Sequence, residues 1–364
     1  TQNNGSEDRC DIHFTTEACD KLYTNTFMQE LHTQEEGMFQ TAIPKEVMMV
    51  IAVLQNASYE AYLVGGCVRD IFMGKVPKDY DITTNATPEQ IIALFPRTFY
   101  ENTYGTVGVV TCGEDLGTVC SDESVKIVEV TPYRLESTYS DNRHPDNVTW
   151  SENILDDLGR RDFTVNAMAY NPVTREIIDP YNGQVDIENK IIRAVGEADT
   201  RFQEDALRLM RAIRFMSQLD FDIESVTRES ISKNAALLNN VSRERVKDEF
   251  VKLIMTDYPM RGLVVMKETG LLQYVVPELL RGVGVTQNQA HMYDVWEHNL
   301  RTLQHAADKK WPLHVRLSAI FHDISKPETK RYSKEKGVIT FYGHDVVGGR
   351  VTREIMERLK FPKD

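Results

Sequence analysis

The chain has 364 residues, 41% of them hydrophobic, which is enough for about two or three domains with buried cores. Its formal net charge of -13 excludes a protein that binds nucleic acid through overall positive charge, so any such surface must be a local basic stripe. The absence of an apolar run near ~18 residues predicts no membrane span, and five cysteines without a C-x-x-C pair predict reduced thiols in a cytoplasmic protein.

Residues 43–170 are predicted to form a small mixed α/β domain, because short apolar runs alternate with helical patterns and turn residues. In chain order the predicted elements are a helix after Pro44, a buried strand at 61–64, a tight turn at Gly65-Gly66 with a helix after it, a strand at 79–84, a helix beginning at Pro88, and paired strands that begin at Thr106 and Val125. From about residue 197 onward nearly every segment is predicted to be helical.

Two carboxylates, Asp79 and Asp81, are separated by one residue on a predicted strand, so both side chains should leave the same face. Neighbouring carboxylates repel each other, and a bound cation relieves that repulsion. Mg²⁺ prefers a few carboxylates together with phosphate oxygens, and a pair of such ions can promote displacement of pyrophosphate. A solvated strand edge is the alternative interpretation of this pair.

A glycine turn lies upstream of the carboxylates, where Gly65 and Gly66 join the predicted strand to a helix and Arg69 follows. Glycine lets backbone N–H groups approach a phosphate, and a helix N-terminus favours an anion. The alternative is an ordinary tight turn. The turn and the carboxylates together indicate a triphosphate site more specifically than either feature does alone.

The segment that carries both features resembles the signature of the class II nucleotidyltransferases, which comprise the bacterial and eukaryotic CCA-adding enzymes and the bacterial poly(A) polymerases. That segment reads LVGGCVRDIFMGKVPKDYDITTNATPEQI. Other blocks resemble family motifs in the same order, namely YGTVGVV at 104–110, VEVTPYR at 128–134, DLGRRDFTVNAMAYNP from Asp157, RFQEDALRLMRAIRF at 201–215 and VSRERVKDEF at 241–250. The resemblance implies a polymerase-β-like head followed by helices, with Mg²⁺ at the carboxylates and CTP, ATP and the tRNA 3′ end as ligands.

The resemblance also implies roles for residues outside the signature. Glu129 would be a third carboxylate near the pair, although a strand glutamate facing solvent is an equal alternative. Arg161, Asp162 and Asn166 would contact phosphate and ribose, because guanidinium forks suit phosphate oxygens and carboxylate or amide groups suit a hydroxyl. A surface ion-pair cluster that includes Arg160 is the alternative there.

The motif Glu204-Asp205-x-x-Arg208 is predicted to lie on one helix over 201–215, with Arg208 and Arg211 on the same side. The Asp205 carboxylate could accept from the exocyclic amine of cytosine or adenine while Arg208 donates to the adjacent ring atom. Uracil and guanine present a carbonyl at that position, so a site built in this way would reject them. The resemblance implies this base-reading role, and a solvated charged helix face is the alternative.

The segment at 134–150 resembles the flexible loop of the family at full length, which favours addition of complete CCA over addition of CC alone. Poly(A) polymerases share most of these motifs. A poly(A) polymerase or an A-adding enzyme therefore remains an alternative within the same class.

The C-terminal histidines point to a second candidate site, because HMYDVWEHNL and FHDISKPET resemble the metal signature of HD domains. His298, His322 and Asp323 could hold a divalent metal, although Ser325 replaces the usual glycine. An inactive HD-like fold and unrelated core histidines are the alternatives. A metal-dependent phosphohydrolase is the competing function from another class.

The expected architecture is a multidomain α/β and α protein. Its predicted parts are an N-terminal extension at 1–42, a catalytic head at 43–170, a helical neck with the nucleotide-selecting motif at 171–240, a helical body at 241–287 and an HD-like helical tail at 288–364. The tRNA acceptor stem is expected along the helical half, with basic candidates Arg243, Arg245, Lys247, Lys252, Lys309, Lys310, Lys330 and Arg331. No membrane and no protein partner are predicted.

Overall fold

The computed structural model describes residues 43–100, 105–112, 126–136, 148–287, 292–335 and 337–362. The predicted extension at 1–42 and most of the predicted flexible loop lie outside these residues. None of the helices in the described part of the chain combines the length and the apolar character that crossing a bilayer requires.

The first half of the described chain forms a sheet flanked by short helices. Its elements are α1 (Lys45–Asn56), β1 (Ala61–Val64), α2 (Gly66–Phe72), β2 (Asp81–Thr84), α3 (Pro88–Leu94), β3 (Thr98–Tyr100), β4 (Val107–Val110), β5 (Ile127–Pro132), β6 (Arg134–Glu136), β7 (Val148–Trp150), α4 (Ile154–Gly159), β8 (Ala169–Tyr170) and β9 (Ile177–Ile178). In the described residues seven strands form one sheet in the order β3-β4-β5-β2-β1-β8-β9, while β6 pairs with β7.

The middle of this sheet confirms the predicted strand, turn and helix elements. Strands β1 and β2 pair antiparallel, β2 and β5 pair parallel, and β4 and β5 pair antiparallel. Leu63, Ile82 and Val130 point into one buried core, and Tyr62 and Val64 point into a smaller cluster on the opposite face. This alternation is what a sheet covered on both faces requires.

Three details differ from the prediction. Strand β2 begins at Asp81, so the predicted strand start at Asp79 is wrong, and Asp79 lies in an exposed bend before the ladder begins. The sheet also continues to β9, past the head boundary predicted at residue 170. The expectation of reduced thiols holds for the buried Cys67 but is wrong for Cys112, which is disulfide-bonded.

The second half of the described chain is mostly helical. Its elements are α5 (Gly183–Glu188), β10 (Ile191–Ile192), α6 (Ala198–Glu204), α7 (Leu207–Leu219), β11 (Asp222–Ile223), α8 (Ser225–Asn234), α9 (Arg243–Ile254), α10 (Pro259–Glu268), α11 (Leu272–Val275), α12 (Val295–Asp308), α13 (Leu313–Phe321), α14 (Lys326–Thr329), β12 (Arg331–Ser333), β13 (Val338–Thr340) and α15 (His344–Arg358). One continuous hydrophobic cluster runs through these elements, from Phe163 to Leu359.

The single helix predicted over 201–215 is wrong, because the chain forms α6 and α7 with a break between them. Asp205 occupies the break with φ -137° and ψ 104°, which is extended backbone. Its Oδ1 accepts the Leu207 backbone N–H at 3.0 Å, so the side chain satisfies one of the first donors of α7. Aspartate favours such caps over helix interiors, and this local preference overrides the helical periodicity.

Candidate functional site

The glycine turn and the carboxylate strand are brought together by the β1–β2 ladder. Val64 pairs with Asp81, so Gly65 follows immediately where β1 leaves the sheet. Gly65 has φ +80°, a conformation that glycine adopts readily and other residues rarely do. A Cβ at this position would lie 3.1 Å from Arg161 Nη1 and 3.8 Å from Asp81 Oδ2. The turn, a guanidinium and a carboxylate therefore converge at one point.

The backbone N–H and C=O groups of Gly65 are both hydrogen-bonded within the protein. The Gly65 N–H donates to Met168 O at 3.4 Å, and Gly65 O accepts from the Arg69 N–H at 3.2 Å. An anion at this turn would therefore be met by N–H groups of the first helical turn after Gly65, which have no partner within the helix. Gly66 is the first residue of that turn.

The carboxylates lie on two neighbouring strands and in the bend before them, with Asp81 on β2, Glu129 on β5 and Asp79 just before β2. Asp81 is partly buried and its register partner on β5 is Glu129, whose side chain is exposed. Burial raises the pKa of Asp81, the neighbouring Asp79 raises it further, and the Arg161 guanidinium opposes both. A cation between Asp79 and Asp81 would relieve this cost, so these residues fit a divalent metal with phosphate oxygens as its remaining ligands.

A buried carboxylate that sequence reasoning missed holds the arginine pair. Asp157 is fully buried, and its Oδ1 accepts from Arg160 Nη2 at 2.5 Å and its Oδ2 from Arg161 Nη2 at 3.0 Å. Burial raises the pKa of Asp157, but Arg161 and Arg160 outweigh this effect and lower it. Arg161 Nε is buried and has no partner within the described chain. The spacing of Asp157 from the arginines, i to i+3 and i+4, is the signal that could have identified this contact.

Polar residues predicted to contact the nucleotide form a chain of hydrogen bonds. Arg69 Nη1 donates to Asn166 Oδ1 at 2.7 Å, and Asn166 Nδ2 donates to Asp162 Oδ1 at 3.2 Å. Asp162 Oδ2 accepts from Arg211 Nε at 2.8 Å. Burial raises the pKa of Asp162, but Arg211 and Arg208 outweigh it and lower the pKa to about 2. This row of hydrogen bonds keeps Asp162 ionised and fixes the orientation of the Asn166 side chain.

Arg69 is buried and has several partners, and its contact with the triphosphate stays a prediction. Its Nε and Nη2 donate to Asp70 Oδ1 at 2.9 and 2.7 Å, in addition to the bond with Asn166. A Cβ on Gly66 would lie 3.5 Å from Arg69 Nη2, and one on Gly65 would lie 3.1 Å from Arg161 Nη1, so both guanidinium groups lie beside the glycine turn.

The predicted base-reading residues have separate partners. Arg208 Nη1 donates to Glu204 Oε2 at 2.7 Å, and Nη2 donates to Arg160 O at 2.8 Å. Asp205 Oδ2 accepts from Arg245 Nη2 at 2.7 Å. Electrostatic effects of Arg208 on Asp162 and of Asp205 on Arg211 place these groups near the same network. Both side chains remain partly exposed, at 11% for Arg208 and 18% for Asp205, so each can reach a ligand.

A second cluster lies at the C-terminal end, where His298, His322 and Asp323 present ligand atoms within 4.8 Å of one another. His298 Nε2 lies 3.1 Å from His322 Nε2 and 3.4 Å from Asp323 Oδ2. His344 brings a further imidazole to this cluster, since its Nε2 lies 3.6 Å from Asp323 Oδ1. Lys326, which sequence reasoning missed, is buried and bonds Asp323 Oδ2 at 2.6 Å.

Backbone carbonyls orient the imidazoles of this cluster. His322 Nδ1 lies 2.8 Å from Ala319 O, and His344 Nδ1 lies 2.7 Å from Phe341 O. A carbonyl only accepts, so each Nδ1 carries a proton, and Nε2 is the atom that is left to bind a proton or a metal. His322 Nε2 lies 3.1 Å from Asp323 Oδ2, an arrangement that suits a proton or a metal cation between the two atoms. Burial lowers the pKa of His322, yet Asp323 outweighs burial and raises it.

The basic residues considered for RNA contact are largely engaged with the protein. Arg243 donates to Tyr274 O at 2.9 Å, and Lys330 donates to Thr286 Oγ1 at 3.0 Å. Lys247, Lys252 and Lys310 form ion pairs with neighbouring carboxylates. The described residues therefore do not single out one of them as an RNA ligand.

Two protein-family profiles match this chain. The profile described as "Poly A polymerase head domain" matches residues 61–193, which include the glycine turn, the carboxylates and the Asp157–Asn166 segment. The profile described as "Probable RNA and SrmB- binding site of polymerase A" matches residues 220–281, which include α9.

Curated relatives named CCA-adding enzyme match about two thirds of this chain. The CCA-adding enzyme of Lactiplantibacillus plantarum is 44% identical over 243 residues, which are 67% of this chain and 56% of that protein. The CCA-adding enzyme of Geobacillus thermodenitrificans is 42% identical over 231 residues, or 64% of this chain and 54% of that protein. The chain thus spans little more than half the length of these relatives.

Solved structures extend the likeness across most of the chain. The Bacillus stearothermophilus CCA-adding enzyme in complex with CTP has a TM-score of 0.59 and 31% identity, covering 87% of this chain and 78% of that one. The Thermotoga maritima CCA-adding enzyme complexed with tRNA has a TM-score of 0.60 at 18% identity, covering 90% of this chain and 69% of that one, and shows the shared fold alone. The chain therefore belongs to the class II nucleotidyltransferases, the family of the CCA-adding enzymes and the poly(A) polymerases.

Proposed function

We propose that this chain is a template-independent CCA-adding nucleotidyltransferase, which transfers CMP and AMP from CTP and ATP to the 3′ end of tRNA. The observation that carries the proposal is the convergence at Gly65, where Arg161 Nη1 lies 3.1 Å and Asp81 Oδ2 lies 3.8 Å from the Cβ position. A phosphate-binding turn, a cation and an acidic metal ligand at one point suit a nucleoside triphosphate.

The divalent metal would be Mg²⁺, held by Asp79 and Asp81 with Glu129 on the neighbouring strand. When bound, it would promote attack by the RNA 3′-hydroxyl and stabilise the departing pyrophosphate. Mg²⁺ is typically bound by one or two carboxylates and substrate phosphates, which matches a site with two adjacent acids and a phosphate turn.

The protein groups around the metal ligands would bind and orient the nucleotide. Arg161 would donate to the triphosphate through nitrogens that Asp157 does not use, and Asn166 with Asp162 would meet the ribose hydroxyls. Asp205 and Arg208 would accept from and donate to the base edge shared by cytosine and adenine. The Asp162–Arg211 pair would keep these groups fixed before the nucleotide arrives, which lowers the cost of ordering them.

The first test is an extension assay on a tRNA transcript that lacks its 3′ CCA, with Mg²⁺ and with CTP alone, ATP alone or both. We expect CTP to add CC and the mixture to add CCA and then stop. Asp81→Asn should slow extension by at least about a hundredfold, because a metal ligand would be lost. Asp257→Asn, a surface carboxylate that is 59% exposed, is the matched control and should extend normally.

A long ladder of A residues with ATP alone, and indifference to CTP, would instead identify a poly(A) polymerase of the same family. Extension in no lane would remove the nucleotidyltransferase proposal for this chain. The same assay therefore distinguishes a CCA-adding enzyme, a poly(A) polymerase and a protein without nucleotidyltransferase activity.

We further propose that His298, His322 and Asp323, with His344, hold a second divalent metal. The observation that favours this site is that the Nε2 atoms of His322 and His344 lie 3.1 and 3.6 Å from the two oxygens of Asp323. Each Nδ1 bonds a backbone carbonyl, as the second nitrogen of a metal-bound histidine usually does. Imidazole and carboxylate donors suit a transition metal. If such a site acts on phosphoesters, the chain would also have the phosphohydrolase activity considered from its sequence.

Zn²⁺ titration by calorimetry tests this second site. We expect His298→Ala and His322→Ala each to weaken Zn²⁺ binding at this site by about tenfold or more, because each variant removes one metal ligand. His305→Ala is the matched control, since His305 lies on the same helix α12 and packs against Trp311. Unchanged binding in both ligand variants would exclude the site. Hydrolysis of a 2′,3′-cyclic phosphate that persists in Asp81→Asn would assign that activity to the cluster.

A further inference from the structure

Arg245 connects the helical body to the residue that would read the base. It lies on α9, and its Nη2 donates to Asp205 Oδ2 at 2.7 Å. The other carboxylate oxygen, Oδ1, accepts the Leu207 backbone N–H at 3.0 Å. Asp205 is thus held at one oxygen by its own chain and at the other by a helix about 40 residues later.

Two contacts are needed because the last torsion of an aspartate is broad. The Leu207 N–H alone would leave the carboxylate free to turn about that bond. The bond to Arg245 sets the plane of the carboxylate, and with it the directions of the lone pairs that remain for a ligand. An acceptor that must distinguish an amine from a carbonyl depends on those directions.

Arg208 has partners of its own and does not set this plane. Its guanidinium donates to Glu204 Oε2 at 2.7 Å, to Arg201 O at 3.1 Å and to Arg160 O at 2.8 Å. Asp205 forms its ion pair with Arg245, whereas Arg208 forms its own with Glu204. The acceptor and the donor of the base-reading pair are kept apart, and each stays available to a base.

The other terminal nitrogen of Arg245 is not explained by folding. Nη1 is buried and has no hydrogen-bond partner in the part of the chain that the structure describes. A buried donor left without a partner lowers stability. The side chain is therefore held in a place that favours Asp205 at the expense of its own hydrogen bonding, which is typical of a residue retained for a site.

We propose that Arg245 is a positioning residue for base selection, which fixes the Asp205 carboxylate so that it accepts the amine of cytosine or adenine and excludes uracil. This inference rests on the proposed function, because it assigns a means of specificity to the same site. It also gives α9, which lies in the segment matched by the RNA-binding profile, a role in nucleotide choice.

The test compares kcat/KM for CTP and for UTP on a tRNA that lacks CCA, together with equilibrium binding of both nucleotides. Arg245→Met retains the aliphatic volume and removes the donors, and we expect the CTP-to-UTP ratio to fall about tenfold. Arg245→Lys restores one donor and should recover part of the ratio. The matched control is Arg228→Ala, since Arg228 pairs with Glu268 on the surface, and it should leave the ratio unchanged.

A double-mutant cycle separates positioning from a general loss of structure. Asp205→Ala should lower the ratio by itself, and adding Arg245→Met should lower it no further, because Arg245 acts through Asp205. Thermal unfolding checks that each variant folds. Should Arg245→Met not fold, Arg245→Gln takes its place, and a ratio equal to that of the unaltered protein would overturn the inference.

The outcomes distinguish this inference from the proposed function. If the unaltered protein neither extends tRNA nor binds CTP in preference to UTP, the proposed function fails and the inference fails with it. If the unaltered protein selects CTP and the Arg245 variants select it equally well, only the inference is overturned. A further loss of selectivity in the double variant would also overturn it, since Arg245 would then act independently of Asp205.

Discussion

Gly65 has a backbone conformation and a close contact that would both strain a residue with a side chain. Its φ of +80° strains an L-residue, and an added methyl would meet Arg161 Nη1 at 3.1 Å. Because Asp157 holds Arg161 at 3.0 Å, a shift of the guanidinium away from an added methyl group would disturb that ion pair. The glycine is therefore required for the position of the arginine as well as for the turn.

We predict that Gly65→Ala destabilises the protein by about 1–2 kcal/mol, as a left-handed conformation for a non-glycine residue does. CTP binding should weaken about tenfold or more, since Arg161 would be displaced from the phosphate turn. Thermal unfolding and nucleotide titration measure the two effects. Gly349→Ala on α15 is the control, because nothing lies within 4 Å of its added Cβ. Equal nucleotide binding by both variants would contradict the role of Gly65.

Sequence reasoning identified residues whose chemistry is visible in a short window, such as Asp79 and Asp81 beside a glycine turn. It missed Asp157 and Lys326, since a buried counter-ion is defined by what surrounds it in space. Arg69 shows the same limit, because its guanidinium bonds Asn166, which lies 97 residues later in the chain. Long-range partners decide which of several arginines is available to a ligand.

The packing of α10 against α7 and α9 depends on one small residue. Gly262 on α10 faces both α7 and α9, and a Cβ there would lie 2.4 Å from Ser217 Oγ and 2.5 Å from Leu253 Cδ1. Both neighbours are buried, so neither can move into solvent. Such contacts leave no room for even one methyl group in a close-packed core.

We predict that Gly262→Ala lowers the free energy of unfolding by about 1–3 kcal/mol through overpacking, although alanine favours helices by nearly 1 kcal/mol over glycine. Chemical denaturation measures the change. The control is again Gly349→Ala, where the helical preference acts without a clash and a small gain is expected. A gain for Gly262→Ala as well would show that the α7, α9 and α10 contacts are looser than the structure indicates.

Elements with strong local signals were predicted correctly, including α1, β1, α2, the β4–β5 pair and the start of α3 at Pro88. The break at Asp205 was not predicted, because an amphipathic pattern continues through it from α6 to α7. A single capping hydrogen bond decides that case, and periodicity carries no information about it.

At the scale of the whole molecule, the order of a sheet-based head followed by helices agrees with the fold of the related structures. The boundaries predicted at residues 240 and 287 remain predictions. One hydrophobic cluster runs across both of them, from Phe163 to Leu359. Successive helices that pack into one core have similar composition. The domain boundaries between them could therefore not be derived from composition.

Helices of this one core also lie between the two candidate sites and contact each other. The predicted base-reading residues Asp205 and Arg208 border α6, α7 and α9, and α9 in turn contacts α13, which ends just before His322. The second metal site is therefore linked to the nucleotide site through packed helices. Whether either site influences the other is measurable as a change in CTP binding on addition of Zn²⁺.

The pairing of β2 with both neighbours has a consequence for which length changes the head can accept. Val64, Asp81 and Glu129 lie side by side on adjacent strands, while Ile82 one residue later points into the core. Strand side chains alternate, so inserting one residue in β1, β2 or β5 would exchange the two faces. Asp81 would enter the core as Ile82 left it. The register that places Asp81 beside Glu129 also places Ile82 in the core, so we expect this head to accept insertions only in the connections between these strands.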